Sequence, residues 1–169
     1  MTRLTYNIFS YPTFTELGAD QRTVDKLTEK AFSIWQKDTN LKFERKSSAV
    51  RENQVDIAIK FVKRKHGDGW DFHGVGLDLA HAFDPGQDEI SGDVHIDDDE
   101  DWSVKRGKGT QLLQVLVHEL GHSLGLDHSK VKGAIMQGPY QGWLREVTLR
   151  TDNIQRIQKL YGKPKRKGR

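Results

Sequence analysis

The chain has 169 residues, 35% hydrophobic and 30% charged, enough for one domain that buries a real core. It has no cysteine, which excludes disulfides, thiolate metal sites and a cysteine nucleophile, and no apolar run near the ~18 residues of a membrane span. The net charge of +3 is modest, and much of the basic excess lies in residues 163–169, a basic tail or linker end whose lack of aromatics argues against nucleic-acid binding.

The start, Met1-Thr2-Arg3-Leu4-Thr5-Tyr6, lacks the apolar core of a signal peptide, so the chain is expected to be intracellular as written or an excised mature fragment. Leu4, Tyr6 and Ile8 alternate with polar residues, as do Val55, Ile57, Ile59 and Phe61, the period of half-buried strands. Between them Val24, Leu27, Ala31, Ile34 and Trp35 form one apolar face of a helix that starts near Asp20. From His66 to Trp102 the pattern dissolves into Gly, Asp and His, with short extended pieces at 77–83 and 94–96. A stretch this irregular inside a small domain points to something other than a core holding it, and bound metal is the obvious candidate. Gln111 to Leu124 reads as a second helix stopped by Gly125. Ile154, Ile157 and Leu160 mark a third, with Thr151 a candidate N-cap.

The segment His118-Glu119-Leu120-Gly121-His122-Ser123-Leu124-Gly125-Leu126-Asp127-His128 has the spacing H-E-x-x-H-x-x-G-x-x-H. Residues four apart share a helix face, so His118 and His122 can offer ring nitrogens to one zinc ion. Gly125 tolerates positive φ and lets the chain turn back to bring His128 to the same ion. Three imidazoles leave one position for water, whose pKa falls from 15.7 toward about 7 on zinc, and Glu119 is placed to act as general base. By chance the whole pattern is expected about once in a hundred thousand chains of this size, so two histidines falling together on a polar helix face is a poor account of it.

The extended motif followed by Met136 resembles the metzincin signature, and Ser129 after the third histidine resembles the matrix metalloproteinase branch. Leu4 to Ile8, Val24 to Trp35, His66-Gly67-Asp68, Leu79 to Phe83, Asp97 to Trp102 and Ile154 to Gly162 are similar to that family's catalytic domain, in order. The resemblance implies an α+β fold of the metzincin type over residues 1–162: a twisted, mostly parallel five-stranded sheet with three helices. It also implies a secreted zinc endopeptidase that acts on extracellular or matrix proteins, works as a monomer and is met by the family's protein inhibitors.

Further roles follow from the resemblance. Met136 takes the place of the methionine turn beneath the zinc. Gln114 corresponds to the position that shapes the floor of the specificity pocket, and Tyr140 to a tyrosine of its wall. Gln137-Gly138-Pro139-Tyr140 displaces the family's proline by one, so the pocket wall is expected to be reshaped. His66, Asp68, His81 and His95 correspond to a structural zinc site, a closed set of three imidazoles and a carboxylate. Gly74, Gly76, Asp78, Asp97 and Glu100 correspond to a calcium site, with His73 standing where the family has an aspartate. Asp56 and Asp93 correspond to a second calcium site whose loop is one residue longer. The resemblance therefore implies two zinc ions and one or more calcium ions. The family's inhibitory pro-segment cysteine is absent from this chain, so an uninhibited protease is expected.

The main alternative is a metal-binding interaction module of the same fold without catalysis. Loss of catalysis would most simply replace Glu119, and that residue is present.

Overall fold

The computed structural model describes residues 1–165, so Arg166 to Arg169 of the basic tail lie outside it. Strand β1 (Thr2–Ile8) leads into helix α1 (Gln21–Lys37), followed by β2 (Leu41–Arg45), β3 (Ile57–Val62), β4 (Ala80–Ala82) and β5 (Val94–Asp97). Short strands β6 (Trp102–Ser103) and β7 (Thr110–Gln111) precede helices α2 (Leu112–Ser123) and α3 (Thr151–Tyr161). The five-stranded sheet runs β2-β1-β3-β5-β4. All its pairings are parallel except β4 with β5, so β4 is an antiparallel edge strand. The mostly parallel sheet with three helices expected from the sequence is what the chain forms.

Helix α1 begins where Asp20 accepts from the Thr23 N–H at 2.8 Å, satisfying one of the free donors of the first turn. Its buried face is Val24, Thr28, Ala31, Phe32 and Trp35. Phe32 sits between Tyr6 of β1 and Phe43 of β2, with ring centroids 4.1 and 4.6 Å away. Trp35 is fully buried and donates its indole N–H to the Val117 carbonyl at 3.0 Å, tying α1 to α2. Helix α2 is buried nearly all round, as a helix between a sheet and another helix must be.

Two expectations need correcting. Thr151 is the first residue of α3 rather than its cap; Arg150 precedes the helix in extended backbone. Leu160 is 54% exposed and does not belong to the core face, which Asn153 and Ile157 form instead. Strand β2 escaped the sequence reading because its apolar alternation is only Leu41 and Phe43.

Candidate active site

Helix α2 carries His118 and His122 one turn apart, and its last turn ends at Leu124. Gly125 then takes φ +90°, which an L side chain resists, and the chain returns to place His128 opposite. His118 Nε2 lies 3.2 Å from His122 Nε2 and 3.3 Å from His128 Nε2. A tetrahedral ion with bonds of 2.0–2.1 Å would set its ligand atoms about 3.3 Å apart. His118 already has that spacing to each of the other two, and all three ligand atoms lie within 4.8 Å of one another.

Their protonation suits a ligand role. Burial pushes His118 down to about 4 and lowers His122, so both rings are neutral near pH 7 and carry a free lone pair. The Nδ1 of His118 faces the Ile135 carbonyl at 2.7 Å, which fixes the tautomer with its lone pair on Nε2. Glu119 is 7% exposed, and burial alone raises it to about 8 in the metal-free protein.

All four residues line a cleft of about 510 Å³ that also meets Gln114 and Tyr140. One side of the cleft is the edge strand, through Leu79, Ala80, His81 and Ala82. Met136 lies below α2, fully buried against Gly121; a Cβ added to that glycine would run into the Met136 sulfur and meet the Trp35 ring at 3.0 Å.

A second cluster gathers the irregular segment. Asp68 Oδ2 stands 2.7 Å from His66 Nε2, 2.8 Å from His81 Nε2 and 2.6 Å from His95 Nδ1. The four ligand atoms lie within 4.8 Å of one another. Burial would raise Asp68, but the Trp70 N–H and the three imidazoles outweigh it and hold the carboxyl well below the usual carboxylate range. Burial also pushes His95 down to about 4, and its Nε2 is enclosed without a partner among the described residues.

These two groups are the metal-ready His, Asp and Glu clusters among the described residues, and the expected calcium residues form no third one. A profile of the matrixin family matches residues 1–162. The chain belongs to the matrixin family. It is 45% identical to horse (Equus caballus) stromelysin-1 over 166 residues, 96% of this chain and 32% of that protein. It is 41% identical to human (Homo sapiens) matrix metalloproteinase-25 over 165 residues, 95% of this chain and 29% of that protein. Mouse (Mus musculus) matrilysin is 40% identical over 161 residues, 95% of this chain and 58% of that protein. The chain thus spans between about a third and three fifths of the length of these relatives. Matrixins are zinc-dependent endopeptidases, so membership implies zinc, with which the histidine clusters are compatible.

The acidic residues expected to hold calcium are placed unevenly. Asp97 is fully buried with Oδ2 lacking a partner among the described residues, and Glu100 is 5% exposed and accepts from the Gly76 N–H. Asp78 points outward, its side chain 70% exposed and 3.8 Å from His73. Gly74 is covered by the Arg64 guanidinium, which donates to the His73 carbonyl at 2.8 Å and pairs with Asp99 at 2.6 Å. An arginine therefore already bridges part of this loop to the acidic turn, a tie that no local spacing announced.

At the other position Asp93 is 4% exposed, and its Oδ1 accepts from the Ala58 N–H at 2.9 Å. The Asp56 side chain is engaged with the Thr5 N–H and hydroxyl, which leaves its backbone carbonyl, close against Gly92, to face the loop. No helix among the described residues is long and apolar enough to cross a membrane.

Proposed function

We propose that this domain hydrolyses internal peptide bonds of extracellular proteins, with zinc held by His118, His122 and His128 and with Glu119 as general base. The observation that carries the reading is three histidine ring nitrogens gathered at ligand spacing around His118 beside a buried carboxyl in an open cleft. Zinc in that position acts as a Lewis acid, supplies a water acidified to near neutrality and favours the carboxylate form of its neighbour.

Glu119 takes the proton from the attacking water as its oxygen adds to the scissile carbonyl carbon. It then delivers that proton to the leaving amine nitrogen as the carbon–nitrogen bond breaks. His118 keeps its Nδ1 proton on the Ile135 carbonyl throughout. Among the described residues the outer edge of β4 has no strand beside it, so an extended substrate can add there by backbone pairing. The side chain after the scissile bond enters the pocket beside Gln114 and Tyr140.

His66, Asp68, His81 and His95 are assigned to a second zinc that holds the loop without chemistry. The orphaned Asp97 oxygen and buried Glu100 support a calcium ion beside the Gly74–Asp78 segment. Asp93 with the Asp56 carbonyl supports another. The unit is residues 1–162, with a basic tail after it, acting outside the cell as a monomer and open to the family's protein inhibitors.

The test is cleavage of a quenched peptide with leucine after the scissile bond, by the zinc-loaded chain and by Glu119→Ala. Turnover should fall at least about a hundredfold in the variant while bound zinc is unchanged. A variant of near-normal activity would remove Glu119 from the mechanism, and an inert parent containing zinc would favour a binding module.

A further inference from the structure

The segment after the methionine turn, residues 138–149, has no helix or strand, and no backbone-to-backbone hydrogen bond of the described residues falls within it. A segment that lines a cleft without such bonds must be held by side chains or remain mobile. Its own Gln141 and Trp143 side chains donate to the Ala134 and Gly109 carbonyls, each at 2.8 Å, and two glutamines, Gln111 and Gln114, hold its backbone.

Gln111 accepts from the Leu144 N–H at 3.0 Å and donates to the Leu144 carbonyl at 3.1 Å, so its amide pairs with that residue as a neighbouring strand would. Gln114 donates to the Gly142 carbonyl at 2.6 Å and accepts from the Gln141 N–H at 3.2 Å. The two amides are joined, Gln114 Nε2 donating to Gln111 Oε1 at 3.2 Å. The Gln111 backbone N–H adds a bond to the Tyr140 hydroxyl at 2.9 Å.

Gln114 and Gln141 line the cleft, whereas Gly142 and Leu144 do not. The bond between Gln114 and Gly142 thus joins a residue of the lining to one behind it. Gln114 is 3% exposed, so breaking these bonds would leave buried polar groups unpaired.

We propose that Gln111 is a specificity-determining residue that acts by positioning: together with Gln114 it clamps residues 141–144 and so limits how long a side chain the pocket beside Gln114 admits. The inference rests on the endopeptidase reading for its substrate but on the clamp geometry for its mechanism. Gln111 itself lies outside the cleft lining and acts by positioning. Its side chain does not cap α2, so replacing it removes the clamp without removing a helix cap.

The experiment compares the parent, Gln111→Ala, Gln111→Glu and Gln114→Ala on two peptides that differ only after the scissile bond, leucine against the long biphenylalanine. Amide hydrogen exchange is followed on the same zinc-loaded proteins. The parent should prefer leucine at least tenfold in kcat/KM. Gln111→Ala should shrink that preference by about tenfold, mainly by lowering KM for the long peptide, within the range that pocket fit controls. Gln111→Glu keeps the acceptor for Leu144 N–H and should fall between.

Exchange at the Leu144 amide should quicken at least tenfold in Gln111→Ala, and that of Gln141 in Gln114→Ala, while α2 stays protected. Equal losses on both peptides, or unchanged exchange at Leu144, would overturn the assignment. A zinc-loaded parent that cleaves neither peptide, nor any of a broader set, would remove the endopeptidase reading and the specificity role together, and slow exchange lost on substitution would then still decide the clamp.

Discussion

The Ile135 carbonyl accepts from His118 Nδ1 at 2.7 Å, and the N–H of the same Ile135 donates to Asn153 Oδ1 at 3.2 Å. A residue on α3 thus reaches the first histidine of the motif through the backbone of one residue. Asn153 is fully buried and also accepts from the Arg150 N–H at 3.2 Å. Asn153→Ala should loosen zinc by up to about tenfold, the low end of what losing a direct outer partner of a metal-binding histidine costs, because Asn153 anchors that partner and does not touch His118. Competition against a chelator of known affinity measures this. Unaltered zinc affinity in a folded variant would show that the Ile135 peptide needs no anchor.

Gly121→Ala tests the packing beneath the zinc. Alanine favours a helix over glycine by up to about 1 kcal/mol. Here the added methyl meets Met136 and Trp35, both fully enclosed, and overpacking of that kind costs about 1–3 kcal/mol. The variant should unfold at lower denaturant with an unchanged slope. A gain in stability would mean that Met136 has room to swing aside.

Burial holds His118 near 4 in the metal-free chain, below its unfolded value of about 6.5. Its neutral form contributes stability that is complete above pH 6.5 and is lost as pH falls toward 4, because the unfolded chain takes up the proton first. Glu119 and Asp93, raised by burial to about 8 and about 6, act in the opposite sense. The difference in unfolding free energy between the metal-free parent and His118→Gln isolates the imidazole. It should shift against the parent between pH 6.5 and 4.5, and a flat difference would show that His118 titrates as it does in water.

Asp68→Ala removes the carboxylate on which three imidazoles converge. Bound zinc should drop by one equivalent per chain and the melting temperature should fall, since 66–79 contains neither helix nor strand. Metal analysis beside a thermal melt reads both. Full zinc content with parental melting would dissociate this cluster from any metal.

Much of this architecture can be read from the chain alone, because its signals are local and periodic. The α1 face shows in the spacing of Val24, Ala31 and Trp35, and the histidine motif specifies its own helix, turn and return. Asp68 and its three histidines were assembled by resemblance, since nothing periodic links residue 66 to residue 95. The ties that escaped are side chains bonded to distant backbone: Gln111 to Leu144 and Arg64 to His73. Such bonds depend on where two loops finally meet, and an amide or guanidinium looks the same in sequence whether it is solvated or engaged. Leu160 erred in the other direction, because a helical period says which residues share a face but not how far that face is covered.

The edge strand carries one last implication, for assembly rather than for chemistry. His81 of β4 sits directly across from His95 of β5, within a pairing only three residues long. Sliding β4 by a single residue would turn His81 to the opposite side of the sheet and replace it with a neighbouring alanine. Three backbone pairs are a weak lock, so the imidazole–carboxylate cluster also serves as a keyway that admits one frame of the strand. Chains refolded with zinc present from the outset should therefore reach a uniform edge, whereas zinc added after refolding would meet some molecules already seated out of frame.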